Sequence, residues 1–555
     1  MADNDKYSSL ISGGIEWLVD TQNPDGGWGD TAESLSNLPT TLLCWAAIEK
    51  VQASHRYSRT VDKAKEYVRQ LAQSFEPEDI VNTVERLYGA DRTFSVPILT
   101  MCAICGLLGE DNKAWKYVRP LPFELAALSP ELFKGLRLTV VSYALPALIA
   151  IGQINFHKRK PFNPVTLILR YLTKGKTLDL LKRIQPKGGG FLEAVPLTSF
   201  VSMSLIASEN SGSDVVKNGI DFLQRQVRDD GSWPIDTNLA SWVTTLSVNA
   251  LDSDDLTVGE KNTITNWLLA QQHTRIHPYT NAAPGGWAWT DLPGGVPDAD
   301  DTAGALLALH KLGAERNDVR AAAKSGIEWL TGLQNSDGGV PTFCRGWTKL
   351  PFDRSSPDIT GHALAAMSVW MGSMDKIFAD KMQRSMKRMI VFLTDAQRPN
   401  GSWIPLWFGN QYSDAQQNPV YGSSRVLIGL SELDTSLFRC CSGAVVKAIE
   451  FLLKVQNDDG GFGGDEGVVC SIEETSIAVD ALVRVYRRLD NTRCDTEAVE
   501  RAIAKSADWL IAGIENDNTS APSPIGLYFA KLWYSEELYP LIFAASALKN
   551  LTSNI

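Results

Sequence analysis

The sequence is poor in the residues that build metal, redox and nucleic-acid sites. Histidine occurs six times in 555 residues and cysteine eight times. The cysteines are scattered, which fits a reducing cytosol better than a disulfide scaffold. Cys102 and Cys105 form a CxxC pair, but inside the apolar run ILTMCAICGLL, where a buried helix face accounts for them. Cys440 and Cys441 are adjacent and equally uninformative. Positive charge is also scarce. A net charge of −11 argues against a general nucleic-acid binder, local basic patches aside. No run of about 18 apolar residues is present, so no membrane-spanning helix is expected. The N-terminal MADNDKYSSL is polar and no apolar segment follows, so no secretory signal is expected. A cytoplasmic protein fits these absences.

What is present reads as globular protein: 44% hydrophobic and 21% charged residues. A chain of 555 residues exceeds what one ordinary core fills, so two large domains are expected. Residues 13–30, GGIEWLVDTQNPDGGWGD, return in outline at 325–340 as SGIEWLTGLQNSDGGV. Further copies lie at 219–233, 389–403 and 448–462. Each is an amphipathic helix end, an Asp/Asn-Gly turn and usually an aromatic. Four share one spacing: Gln22, Gly26, Trp28; Gln334, Gly338, Val340; Gln397, Gly401, Trp403; and Gln456, Gly460, Phe462. Gly supplies the backbone angles of a helix end. The aromatic packs back on the helix, and the Gln amide bonds exposed backbone groups. The unit is a clamp between two helices, and internal repetition signals an array of them. From Gln272 the glutamines fall at 272, 334, 397 and 456, room for one helix pair per step. Closed on itself, such an array is an α/α barrel; left open, it is a solenoid.

Residues 119–153 are the most apolar stretch, interrupted by Pro146. A basic segment follows, with Lys158, Arg159, Lys160, Lys174, Lys176, Lys182, Arg183 and Lys187. Two readings stand. Apolar surface beside basic residues suits a protein lying on an anionic membrane. A buried helix followed by a solvated basic face accounts for the same pattern.

The densest chemistry is GGWAWTDLPGGVPDADDTAGALLAL, residues 285–309. Asp298, Asp300 and Asp301 fall within four residues, where a Trp-rich loop enters a helix. One acid there caps the helix and complements its dipole. Three crowded acids cannot all ionise cheaply, which points to a shared-proton site. One repeat later Asp358 and His362 stand at i and i+4, on one face of a starting helix. A lone His in such a place is usually structural. In a closed barrel, however, equivalent helix starts lie side by side, which brings His362 toward the acid cluster.

Asp298-Ala-Asp-Asp-Thr-Ala303, the ordered Gln-x3-Gly-x-Trp-like clamps and the downstream Asp358-x3-His362 together resemble class II terpene cyclases of the squalene–hopene cyclase type, over nearly the whole chain. The resemblance implies an all-α fold of two α/α barrels, a γ-type domain over residues 10–235 and a β-type domain over 236–555. It implies a catalytic cavity between them and a nonpolar surface, here 119–153, resting on a membrane. Asp300 would protonate a terminal alkene, Asp298 and Asp301 would support it, and His362 would bond to Asp298. Trp242, Trp289, Phe343, Trp407 and Tyr421 fall on the family's cavity aromatics. Tyr143 is a looser match, as are Tyr528 and Tyr534 among C-terminal aromatics that do not align cleanly. The implied substrate is a linear isoprenoid such as squalene, with no metal and no cofactor.

The departures are a shorter chain, Thr40–Thr41 where the family keeps an acid, and Lys531 among the terminal aromatics. These leave room for a prenyl diphosphate substrate, which brings Mg²⁺ and a basic mouth. Homodimerisation is left open. A noncatalytic toroid binding lipid or protein is disfavoured by the intact acids and by His362. An α/α-barrel glycosidase would spread its acids over separate loops. A zinc prenyltransferase would need an Asp/Cys/His ligand set that is not found.

Overall fold

The computed structural model describes the chain apart from residues 90–92, 137–143, 279, 346–350, 489–493 and 553–555. The described chain is helical, with one small sheet of three short strands, Gly409–Asn410, Ile525–Leu527 and Leu532–Tyr534.

Six helices of the C-terminal half form a closed inner ring: Ala240–Ala250, Ala299–Gly313, Pro357–Trp370, Pro419–Ser431, Ile472–Tyr486 and Tyr539–Thr552. Each packs on the next and the last packs on the first, so the array is a barrel rather than a solenoid. Small residues permit the close approach: a side chain at Gly429 would begin 2.3 Å from the carbonyl oxygen of Gly361. Outside the ring lie Val258–Gln271, Asn317–Leu333, Lys376–Ala396, Thr435–Val455 and Thr496–Glu515. Inner helices are buried on most sides, whereas outer ones show a single apolar stripe. In Lys376–Ala396 that stripe is Phe378, Met382, Ser385, Met386, Met389, Ile390 and Leu393.

The N-terminal half repeats the plan less regularly. Its inner helices are Leu38–Lys50, Ser95–Cys105, Leu145–Lys158 and Val195–Ala207. Its outer helices are Ser8–Asp20, Ser58–Ala72, Pro77–Tyr88, Pro164–Ile184 and Asp214–Gln226. The turn after Asp214–Gln226 seats Gly231 on Gly13 in the first helix, closing this unit as well.

The clamps work as their residue types require. Gln397 Nε2 donates to Gly401 O at 2.9 Å and to Ala444 O of the next outer helix at 2.8 Å. Gly401 has φ +89, and a Cβ there would lie 2.1 Å from Lys447 O, three residues further along that helix. Gln22, Gln272, Gln334 and Gln456 make the same pair of bonds. So does Gln185, to Gly189 O and Val215 O. That sixth clamp went unread although Gln185, Gly189 and Phe191 keep the spacing of the others. The 219–233 copy has Val227 in place of Gln, yet Trp233 Nε1 still bonds Leu223 O. Each amide bond contributes roughly 0.5–1.5 kcal/mol net.

The two halves are tied by polar contacts across the chain. Asp30 accepts from Trp533 N at 2.8 Å, Gln411 accepts from Leu35 N at 2.7 Å, and Glu193 accepts from Gly294 N at 2.8 Å. Thr40, at the position where an acid was expected, donates its hydroxyl to Asp30.

The apolar stretch 119–153 divides between core and surface. Helix Leu145–Lys158, part of the apolar 119–153 stretch, is core: Ile149, Ile151 and Ile154 are buried. Leu125, Leu128, Leu132 and Leu136 of the same stretch are exposed, and more exposed apolar side chains lie on the segment read as basic. There Phe162 is 95% exposed and Leu172 is 70% exposed, with Val165, Ile168, Leu169 and Tyr171 around them. The apolar run was long enough to fill the core of its own barrel, and the following helix carries both the apolar and the basic side chains. No helix among the described residues is long and apolar enough to cross a membrane.

Candidate active site

The site is built on the start of helix Ala299–Gly313. The preceding loop is pinned by Trp287, whose Nε1 donates to Leu268 O, while Asp298 N donates to Trp287 O at 3.0 Å. Asp298 has extended backbone angles and is the N-cap; its Oδ1 accepts from Asp300 N and Asp301 N, both at 2.9 Å. The capping reading therefore holds for Asp298. The cap holds the first turn so that Asp300 and Asp301 leave it in different directions.

Those directions set the electrostatics. Asp298 and Asp301 are buried against each other. Burial pushes Asp298 up to about 7 against the bonds it accepts from Asp301 and Asp300, and burial followed by the charge of Asp298 pushes Asp301 well above the usual carboxylate range. Asp300 keeps 20% of its side-chain surface. Its Oδ1 lies 2.5 Å from Nδ1 of His362. The expected His362–Asp298 bond is thus corrected: the cap uses Asp298 up, and the next inner helix presents His362 to the middle acid. Asp358, one turn before His362, is held by the Ser356 hydroxyl. Burial and then the charge of Asp300 push it up to about 6.

Aromatic rings surround this acid group. Trp242 stands edge-on to His362, with centroids 6.3 Å apart, and its Nε1 donates to Tyr539 OH at 2.7 Å. Tyr421 stacks on Phe408 at 4.2 Å. A second run of rings links Trp289 to Phe343 at 6.3 Å, Phe343 to Trp407 at 5.8 Å, and Trp407 to Phe529 at 6.5 Å. Tyr534, like Trp289 and Trp407, packs against the buried cluster that holds Trp242. Tyr528 stands apart: its ring touches Phe529, but its hydroxyl meets Arg354 Nη2 at 3.4 Å. It borders a polar cleft of about 270 Å³ lined also by Arg398, Ser355 and Gln417. Tyr143 lies outside the described residues. Phe352, Phe408, Phe529, Tyr539, Phe543 and Arg425 join the site without having been read from sequence. Phe408 and Phe529 directly follow Trp407 and Tyr528, the one signal available for them.

Comparison with known proteins falls on these same segments. Residues 239–477 match the squalene-hopene cyclase C-terminal domain, and residues 3–121 match the prenyltransferase alpha-alpha toroid domain. The chain is thus similar, over these two segments, to class II terpene cyclases of the squalene–hopene cyclase type. Among its relatives, the sporulenol synthase of Bacillus subtilis is 29% identical over 45% of this chain and 40% of the relative. The squalene–hopene cyclase of Alicyclobacillus acidocaldarius is 30% identical over 36% and 33%. An ent-copalyl diphosphate synthase from Streptomyces platensis shares the fold, with a TM-score of 0.57 at 17% identity over 98% of this chain and 94% of that one. The chain spans 25 to 40% of the length of the first curated relatives it matches.

Among the described residues no three His, Cys, Asp or Glu side chains converge as a metal site would require. A Mg²⁺ ion carried by a diphosphate needs only one or two carboxylates, and no residue here is assigned to it.

Proposed function

We propose that this protein is a protonation-initiated cyclase that converts a linear polyprenyl substrate, squalene or a similar isoprenoid, to a polycyclic terpene through carbocations. Residues 10–235 and 236–555 serve as the γ- and β-type barrels. The observation that carries the reading is the Asp300–His362 pair, set on two buried acids and faced by aromatic rings.

The chemistry follows from that arrangement. An alkene is a very weak base, so its acid must be strong and still protonated. Asp298, pushed up to about 7, and Asp301, raised well above the usual range, resist ionising and so spare Asp300 two adjacent full charges. With Nδ1–H of His362 donating to Oδ1, Oδ2 is left to carry the proton that moves. Transfer places that proton on the terminal alkene carbon and the charge on its neighbour. The His362 bond stabilises the carboxylate left behind. The cation meets rings, each worth about 0.5–2 kcal/mol. Trp242, Trp289, Phe343, Trp407 and Tyr421 are assigned this role, and they exclude the water that would quench the cation early.

A prenyl diphosphate cyclised with Mg²⁺ is the second reading, favoured by half-buried cations that a hydrocarbon does not need: Arg354 and Lys531. Incubation with squalene, farnesyl diphosphate and geranylgeranyl diphosphate, each with and without Mg²⁺, separates the readings by product mass. In whichever reaction proceeds, Asp300→Asn should lower turnover by several orders of magnitude, each tenfold being about 1.4 kcal/mol. His362→Ala should cost less. A folded Asp300→Asn protein of normal turnover would end this mechanism.

The apolar and basic face of helix Pro164–Ile184 is assigned to the anionic inner face of the cytoplasmic membrane, from which an insoluble substrate would be drawn.

A further inference from the structure

Helix Pro419–Ser431 carries into the site a charge that the acid pair leaves unused. Arg425 follows Tyr421 by one helical turn. Its Nε donates to Tyr421 OH at 3.0 Å. Its guanidinium carbon lies 5.2 Å from the Tyr421 ring centroid and 5.3 Å from that of Phe543. Nη2 is buried and bonds to no protein atom. Among the described residues no carboxylate pairs with Arg425 within ion-pair distance. Its backbone oxygen lies beside Gly361, the residue before His362, where a Cβ would come within 3.4 Å of it, and Tyr421, Asp300 and Tyr539 act electrostatically on its charge.

A buried guanidinium with a free donor is costly, and packing does not explain it. An apolar side chain on the inner ring would fill the space, and the Tyr421 hydroxyl needs only a modest partner. A fixed positive charge is also the wrong lining for a carbocation channel, unless its field acts on something else. The acid is the group on which it can act.

We propose that Arg425 is a positioning residue for proton transfer, its permanent charge stabilising the Asp300 carboxylate at the moment the proton leaves. The role rests on the cyclase reading given above. The electron pair of the alkene takes the Oδ2 proton, and the O–H pair remains on Asp300. Arg425 gains and loses no atom. His362 bonds the carboxylate directly, while Arg425 acts through space in a site from which water is kept out, where such fields are strong. The same charge repels the new carbocation, which drives it away from this end of the site and against collapse onto Asp300.

The role separates from a structural one by the basicity of the substrate. An epoxide oxygen accepts a proton far more readily than an alkene carbon, so its opening depends less on acid strength. The isoprenoid that the wild type converts is compared with its terminal epoxide in Arg425→Gln, Arg425→Met and Arg425→Lys. With the alkene, Arg425→Gln should lower kcat about a hundredfold, the scale for removing one preorganised charge or donor, with KM within a few fold. With the epoxide the loss should stay under about tenfold, and Arg425→Lys should recover most of the alkene rate. Arg425→Met gives the same comparison if the Gln variant fails to fold. Equal losses on both substrates, or an unchanged kcat on the alkene, overturn the role of Arg425 alone. A wild type that converts neither substrate overturns it together with the cyclase reading.

Discussion

Asp298→Asn should make the protein more stable at neutral and alkaline pH while impairing the acid site. Asp298 is the N-cap of the acid-bearing helix, and Asn caps as well as Asp. The two bonds from Asp300 N and Asp301 N can therefore survive, with the amide nitrogen facing Asp301 as a donor. What disappears is a buried charge. The folded protein holds Asp298 at about 7, against an ordinary value of 3.8. Between those values the folded state binds more protons than the unfolded one, so wild-type stability falls as pH rises through that window. Three units at 1.36 kcal/mol each set a ceiling of about 4 kcal/mol. Asp301 shares the penalty, so we assign roughly half, about 2 kcal/mol, to Asp298. At roughly 2 °C per kcal/mol the thermal midpoint of the variant should gain about 4 °C on wild type between pH 4 and pH 8. Tryptophan fluorescence melts at half-unit steps measure it. A difference that stays flat across this range, or shrinks as pH rises, refutes the assignment of buried, mutually repelling acids.

The remaining expectations concern the clamp, the cavity and the membrane face. Gly401→Ala forces a Cβ to 2.1 Å from Lys447 O at φ +89, whereas Gly106→Ala at φ +90 meets nothing within 4 Å. Urea unfolding should show about 1–2 kcal/mol lost at Gly106 from the left-handed backbone alone, and a further 1–3 kcal/mol at Gly401 from overpacking; equal losses would mean that the clamp glycine is not a packing device. Trp289→Ala should shift products toward early-quenched ones more than it slows consumption of substrate, as product analysis would show; an unchanged product set removes Trp289 from the cation path. Vesicles containing anionic lipid should carry the protein in flotation, and Phe162→Ser with Leu172→Ser should release it; a wild type that never floats leaves that face without a membrane.

Much of this site was legible before any coordinates. Asp298 reads as a cap because capping is local: an acid, a helix start and donors two and three residues on. The clamps read equally well, since Gln, Gly and aromatic act within seven residues of one another. Asp358 and His362 share a helix face by simple periodicity, whereas the aromatic positions came from the family resemblance alone.

What the sequence left open involves neighbours distant in the chain. Three aspartates in four residues do not say which one meets His362; helix direction and the closure of the inner ring turn Asp300 toward it, 62 residues away. Arg425 looks like any charge on an amphipathic helix until Tyr421, Phe543 and the surrounding inner helices enclose it. The apolar stretch 119–153 divided between core and surface, and the basic segment after it kept apolar side chains exposed, for the same reason. Composition fixes how much apolar surface a segment has, but burial depends on what the rest of the barrel places against it. Helix Leu145–Lys158 found neighbours on all sides, and Pro164–Ile184 kept Phe162 and Leu172 bare at its edge.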